Sequence, residues 1–234
     1  MVDWEQKRFW TEARPVPDNN GFTVELDGRR VKTPGRLALH VPTLALAEMV
    51  AAEWNAQIDR VDPVTMPATR MVNAAIDKVR SQHSDVANLI AEYGGTDLLC
   101  YRANSPQALA ERQANQWDPA LKWACDTLGV RLVVGKGVMY IPQDPADLAR
   151  LSDRVHLMSE FKLSAFHDLV SMSGSLILGF AVVLQWKSAD QIWSMSRLDD
   201  IWQEEIWGPD QEANEVAAIK RQAFLHAARF FHIC

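Results

Sequence analysis

The sequence predicts an α+β protein, in which a smaller β-containing N-terminal domain is followed by an all-helical C-terminal domain. Alternating apolar residues flank the Asp27-Gly28 dipeptide, a pattern typical of a β-hairpin. Beyond Pro142, apolar residues recur only at the three- and four-residue spacing of helices. We therefore assign residues 1–144 to the α+β domain and residues 145–234 to the helical domain.

The first elements of the N-terminal domain are predicted to be three short strands and a helix. Residues 22–26 alternate in polarity up to the hairpin turn, and residues 29–33 return from it. Residues 37–41 alternate again and predict a third strand. Thr43 is a preferred N-cap residue, so a helix is expected to follow it and to run to about Gln57.

The rest of this domain mixes helices with short apolar runs. Proline and glycine mark the ends of most of these elements, as expected for residues that interrupt regular structure. We expect the helix that Pro106 opens to break at Pro119 and to end at Gly129. The predicted elements are helices over residues 68–80, 84–93 and 106–128, a buried strand over 97–102, and one or two strands over 131–141.

Four helices are predicted after Pro142, over residues 144–158, 162–186, 190–207 and 210–231. The second contains eighteen uncharged residues, 169–186, which is the minimum length of a membrane span. Serine and glycine dilute this stretch, and helical spacing continues on both sides. We therefore expect a buried central helix and no integral membrane segment.

Composition excludes several classes of protein. A net charge of −6 and a pI near 5.5 argue against binding to nucleic acid or to an anionic membrane surface. The three cysteines form no CxxC pair, so no zinc site or disulfide framework is indicated and a reducing compartment is expected. The N-terminal stretch MVDWEQKRFWTEARP lacks the apolar core of a signal peptide and is too acidic for a typical mitochondrial presequence. We expect a cytoplasmic protein.

Catalytic signatures are sparse. The sequence contains no GxSxG, HExxH or GxGxxG, and the VVGKGV stretch lacks the spacing of a phosphate loop. One enzymatic alternative stays open, namely a carboxylate-metal hydrolase that uses Asp199, Asp200, Glu204 and His167. The histidines show no paired spacing on a helix face, so we expect no metal and no cofactor.

The most informative segment is LDDIWQEEIWGPDQEA, residues 198–213. Seven carboxylates and two tryptophans lie between Arg197 and Lys220, with no basic residue among them. Helical spacing predicts that one apolar stripe, made of Ile192, Met195, Leu198, Trp202 and Ile206, faces the core. The segment is either a helix with a solvated acidic face or a surface that binds another macromolecule.

Six blocks resemble the assembly chaperones of F-type ATP synthase that act on the α subunit of its catalytic head. The order and spacing of these blocks are more specific than any one of them. The blocks are LDGRRVKTP (26–34), AAEWNAQ (51–57), DPVTMPATRMVNAAID (62–77), GGTDLLCYRA (94–103), QWDPALKW (116–123) and LDDIWQEEIWGPDQEA (198–213). The resemblance implies a bacterial member of a mitochondrial assembly-factor family, with a β-containing N-terminal domain and a helical C-terminal domain.

The resemblance also implies a function and a site. Such a protein is a chaperone rather than an enzyme; it binds the free α subunit and shields the surface that later meets the β subunit. The acidic residues before and after a Trp-Gly step are expected to matter, and here they are Glu205 and Asp210 around Trp207. Glu204 is the adjacent candidate. These four residues are the predicted partner-binding site, and the free protein is expected to be a monomer.

Overall fold

A three-stranded antiparallel sheet begins the described part of the structure, a computed structural model that describes residues 7–234. Its strands are β1 (Ala13–Asp18), β2 (Gly21–Leu26) and β3 (Arg29–Arg30), paired in the order β1-β2-β3. The first six residues, on which part of the N-terminal prediction rests, lie outside the described residues.

The predicted hairpin is confirmed, although its returning strand ends at Arg30 and not at residue 33. Leu26 pairs with Arg29 across the turn, and positive φ angles of 46° at Asp27 and 82° at Gly28 are those of the tight turn that suits a right-handed twist. Strand β1 was not predicted, because its two prolines argue against a central strand. They are tolerated because β1 pairs only with β2 and forms an edge of the sheet.

The third strand predicted over residues 37–41 is wrong. This segment forms only single bridges, Lys32 with Ala38 and Phe22 with Val41. Arg36 has a φ of 65°, and this left-handed turn interrupts a continuous ladder. Thr43 then caps helix α1 (Leu44–Ala56) as predicted, because its hydroxyl accepts a hydrogen bond from the Leu46 amide at 3.2 Å.

Short helical elements follow α1. Helix α2 (Pro67–Ala74) continues into a π-helical turn (Ala75–Val79), and α3 (His83–Ala91) lies close to its predicted position. The buried strand predicted over residues 97–102 is a 3-10 turn (Leu98–Cys100) followed by a two-residue strand, β4 (Tyr101–Arg102).

Two predictions about the next segment are wrong in part. Helix α4 (Gln107–Leu128) runs without interruption through Pro119, so the expected break is absent, and it ends at Gly129, whose φ is 72°. The strands predicted over residues 131–141 shrink to β5 (Gly135–Lys136), which pairs with β4 in parallel.

Every element after residue 142 is a helix, so the predicted fold class is confirmed. Asp144 caps α5 (Pro145–His156). The single helix predicted over residues 162–186 is instead two helices, α6 (Glu160–Ser173) and α7 (Leu176–Val183). Gly174 breaks the run with a φ of 68°. No helix within residues 7–234 is both long enough and apolar enough to span a membrane.

A buried carboxylate fixes the start of α7. Asp97 accepts hydrogen bonds from the Ser175 hydroxyl at 2.7 Å and from the Ile177 amide at 3.0 Å. Ser175 in turn caps the helix by accepting from the Leu178 amide at 3.0 Å. These hydrogen bonds hold the chain between α6 and α7 in a non-helical conformation. They explain why an apolar run of membrane-span length is not one helix.

The last three helices carry the acidic segment. They are α8 (Ala189–Ser196), α9 (Leu198–Trp207) and α10 (Gln211–Ile233), so the single helix predicted over residues 190–207 is divided at Arg197. Trp117 of α4, which is fully buried, donates from its indole nitrogen to the Met195 carbonyl at 2.9 Å. This hydrogen bond holds the end of α8 against α4.

Contacts divide the chain into two units. One unit comprises the described residues up to His83 together with Ser159–Ala165 and Arg229–Cys234. The other comprises Ser84–Met158 and Phe166–Ala228. The boundary between residues 144 and 145 concerns independently folding domains rather than contact groups, and it stays a prediction.

Candidate functional site

The predicted site lies where α9 ends and α10 begins, at residues 204–210, which we call the 204–210 corner. Gly208 terminates α9 with a φ of 86° and a ψ of 162°, a conformation open essentially only to glycine. Its amide donates to the Glu204 carbonyl at 3.0 Å, and Pro209 cannot continue the helix. Asp210 then caps α10 by accepting from the amides of Glu212 and Ala213.

The predicted core stripe is correct only in its first half. Ile192, Met195 and Leu198 are buried, whereas Trp202 is half-buried and Ile206 is 55% exposed. The prediction assumed that residues 190–207 form one continuous helix, in which the three- and four-residue spacing keeps all five side chains on the same face. The division at Arg197, where φ is −99° and ψ is 14°, changes the phase of α9, so Ile206 turns toward solvent.

Glu205 has a partner that the sequence did not reveal. Arg112 of α4 donates to both of its carboxylate oxygens, at 2.5 and 2.9 Å. This hydrogen bonding lowers the pKa of Glu205 and raises the pKa of Arg112. The same guanidinium lies 5.8 Å from the centre of the Trp202 ring. The absence of basic residues within the acidic run suggests unpaired charge, but at Glu205 the fold supplies a partner from α4.

Arg197 pairs with two other carboxylates. Its guanidinium lies 3.0 Å from Asp200 and 3.4 Å from Glu204. It therefore bridges two like charges four residues apart, a spacing at which carboxylates on a helix repel each other. A signal for this pairing existed, because Arg197 precedes Asp200 by three residues and thus shares its helix face. No comparable signal pointed to Arg112, which precedes Glu205 by 93 residues.

Exposed apolar side chains distinguish the 204–210 corner from an ordinary acidic surface. The Trp207 side chain is 78% exposed, and Ile206 beside it is also exposed. Val216 and Ile219 on α10 are exposed as well. Large apolar groups at such exposure leave water only when another surface covers them. Three carboxylates of the corner have roles within the fold, whereas Trp207 makes none of the aromatic or hydrogen-bonding contacts seen for other tryptophans among residues 7–234.

The groups of the hydrolase alternative have separate partners. His167 Nδ1 lies 3.1 Å from Asp168, and Asp199 accepts a hydrogen bond from the Gln113 amide group at 2.7 Å. Asp200 and Glu204 share Arg197. Across residues 7–234, no group of three or more histidine, cysteine or acidic side chains is placed to hold a metal ion. The geometry gives this alternative no support.

Comparisons with known proteins identify one matching family and several similar proteins. The model of a family described as ATP12 chaperone protein matches residues 7–125. Protein atp12, mitochondrial, of Schizosaccharomyces pombe is 24% identical over 226 residues, which cover 90% of this chain and 76% of the relative. The crystal structure of Atp12 from Paracoccus denitrificans is 43% identical, with a TM-score of 0.95 over 99% of both chains. A crystal structure of a protein from Agrobacterium tumefaciens is 37% identical, with a TM-score of 0.91 over 96% of this chain and 84% of that one.

Proposed function

The chain belongs to the ATP12 family of chaperones for ATP synthase assembly, and from this premise we propose that it binds the free α subunit of the F-type ATP synthase. In this proposal the bound chaperone shields the surface of the α subunit that later meets the β subunit. It acts as a monomer in the bacterial cytoplasm, by binding alone and without catalysis.

The observation that carries this proposal is the exposed Trp207–Ile206 pair amid carboxylates. A free ring subunit exposes a large interface that is apolar in part, and a chaperone must cover it temporarily. A tryptophan exposed at 78% supplies a large apolar anchor of the type that dominates binding energy at interfaces. We assign Trp207 this role.

The carboxylates around Trp207 supply specificity. Glu205 keeps 52% of its side chain exposed while Arg112 holds it in place, so its carboxylate is oriented and still accessible. A carboxylate offers about four lone-pair positions, so Glu205 and Glu204 retain acceptor capacity beyond their internal ion pairs. We propose that these two residues and Asp210 face a basic patch of the α subunit. Such charges favour rapid and selective encounter more than tight binding, as release to the β subunit requires.

Capture of the purified α subunit tests the function. During dilution from denaturant, the chaperone is expected to suppress light scattering by the α subunit and to co-elute with it in size-exclusion chromatography. Trp207→Ala is expected to weaken this capture about tenfold or more, the loss typical of an interface anchor. Tyr140→Ala removes another exposed aromatic, 66% exposed and outside the corner, and should leave capture unchanged. A wild-type protein that captures no α subunit would refute the proposal.

A further inference from the structure

Three of the sequence blocks surround one cavity far along the chain from the 204–210 corner. Blocks 26–34, 51–57 and 62–77 all contribute side chains to a cavity of about 560 Å³ within the first contact unit. Pockets that bind small ligands or side chains typically have volumes of about 300–1,000 Å³. The function proposed above uses none of these residues, although they carry half of the family resemblance.

Two polar atoms of residues lining this cavity are buried without a hydrogen-bond partner. They are the indole nitrogen of Trp54, which can only donate, and the side-chain oxygen of Asn73, which can only accept. Buried polar groups in native proteins are nearly always paired, so such an orphan requires an explanation. Both residues line the cavity and are half-buried, so rotation of either side chain would present a donor or an acceptor to the backbone of a bound chain.

The remaining lining residues define what the cavity accepts. Pro34, Val61, Pro63 and Met66 make most of its wall apolar. Lys32 and Lys78 are exposed beside it and take part in no ion pair within residues 7–234.

Asp77 is the one carboxylate among the described residues that line the cavity, and two hydrogen bonds within the fold hold it. Asp77 accepts a hydrogen bond from the Thr33 hydroxyl at 2.5 Å and from the Gly35 amide at 2.9 Å. Arg70, the third cation of the lining, acts electrostatically on Glu53. The edge of the cavity is therefore positive in a chain whose net charge is −6, which favours an acidic occupant.

We propose that this cavity binds an extended acidic segment of the client protein. The backbone of the segment accepts from Trp54 and donates to Asn73 once these side chains turn toward it. An apolar side chain enters the cavity, and a neighbouring carboxylate lies beside Lys32 and Lys78. The proposal rests on the proposed function, because it takes the captured subunit as the source of the segment. It adds a second contact region, of opposite charge to the 204–210 corner.

Variants at the orphaned atoms provide the sharpest test. Trp54→Phe keeps an aromatic ring but removes the donor, and Asn73→Leu removes the acceptor. Both atoms lack partners in the free protein, so their removal costs no hydrogen bond, and the melting temperature should fall only slightly, through the smaller ring packed against Trp10. Affinity for the α subunit should nevertheless fall, by about tenfold in the double variant. A tenfold loss of affinity without a matching loss of stability separates recognition from a structural role.

Charge reversal tests the acidic character of the occupant. Lys32→Glu with Lys78→Glu is expected to weaken capture and to reduce its salt dependence. Lys7→Glu with Arg229→Glu makes the same change of net charge at exposed residues outside the cavity lining, and it should leave capture unchanged. Equal capture by the cavity variants and the wild type would overturn the inference while leaving the proposed function intact.

Peptides keep the inference testable by itself. Overlapping twelve-residue peptides spanning the α subunit are titrated into ¹⁵N-labelled wild-type protein, and the indole signal of Trp54 is identified by its absence in Trp54→Phe. An acidic peptide should shift that signal, whereas its amidated counterpart, with Asn and Gln in place of Asp and Glu, should bind more weakly. A Trp54 signal that no peptide moves, or a signal that changes only with protein concentration as for a second copy of this chain, would contradict the inference.

Discussion

The guanidinium of Arg112 donates to both carboxylate oxygens of Glu205, so one residue of α4 pairs with the acidic end of α9. Two roles are consistent with the pair. It holds α9 against α4, or it orients a carboxylate that the client contacts. Exposed ion pairs contribute little to stability, so the first role alone predicts that little is lost when the pair is exchanged.

An exchange of the two charges separates these roles. Glu205→Arg combined with Arg112→Glu rebuilds the ion pair with the charges in opposite places. We expect the double variant to keep the melting temperature of the wild type and to capture the α subunit markedly less well, because position 205 then presents a positive charge to the client. Scattering assays measure capture, and thermal denaturation measures stability. Full capture by the exchanged protein would assign Glu205 a structural role only.

Asp97 is a buried carboxylate whose titration makes the stability of the fold depend on pH. Burial raises its pKa from 3.8 to about 6, despite hydrogen bonds from Ile177, Ser175 and Leu99. Because the folded-state pKa exceeds the unfolded one, the unfolded chain loses this proton first as pH rises. The stabilisation that the folded state gains from the protonated Asp97 carboxyl is complete below about pH 4 and is lost as the pH rises through about 6.

Asp97→Asn removes this titration. Between about pH 4 and pH 7, the free energy of unfolding of the wild type should fall relative to that of Asp97→Asn by roughly 2–3 kcal/mol. Urea denaturation of both proteins at several pH values measures the difference, and contributions from other groups cancel in it. A difference that does not change with pH would contradict the raised pKa of Asp97.

At the scale of elements, local chemistry predicted where helices begin better than where they break. Thr43, Asp144 and Asp210 each cap the helix expected to follow them, because an N-cap acts through amides two or three residues away. The divisions at Gly174 and Arg197 were missed. The first depends on Asp97, 78 residues before its partner Ser175, which periodicity along the chain does not reveal.

Prediction of the site from the sequence was limited in the same way, to features that depend on neighbouring residues. Acidity, the turn at Gly208 and the cap at Asp210 were predictable from adjacent residues, and the exposure of Ile206 was not. That exposure follows from the changed phase of α9 after Arg197. Resemblance identified the corner, but the partner of Glu205 lies on α4 and only the folded chain brings the two residues together.

The end of α9 depends on the backbone of Gly208. A β-carbon there would meet no atom within 4 Å, but φ is 86°. Gly208→Ala is therefore expected to destabilise the turn by about 1–2 kcal/mol through conformational strain alone, and to weaken capture by displacing Trp207. Gly95→Ala is the matched control, because its β-carbon also meets no atom and its φ lies outside the positive region. Thermal denaturation of both variants distinguishes them; equal melting temperatures would contradict the strain.

At the scale of the whole molecule, the two proposed contact regions are opposite in charge. The 204–210 corner presents carboxylates around an exposed tryptophan, and the cavity beside Trp54 presents two exposed lysines. Two regions that are each moderate in affinity allow capture by their joint action, and release follows when either is displaced. This arrangement suits the proposed function, in which the client passes from the chaperone to the β subunit.

Displacement by the β subunit follows from that arrangement. If the chaperone covers the β-facing surface of the α subunit, the two proteins exclude each other, and added β subunit should release the chaperone from a one-to-one complex. Size-exclusion chromatography with light scattering measures this release as the appearance of free chaperone at 26.4 kDa together with an α–β complex. Trp207→Ala should lower the concentration of β subunit that is needed, because it removes an anchor from the competing interface. A stable complex of all three proteins would show that the chaperone binds elsewhere on the α subunit, since two proteins cannot occupy one surface together.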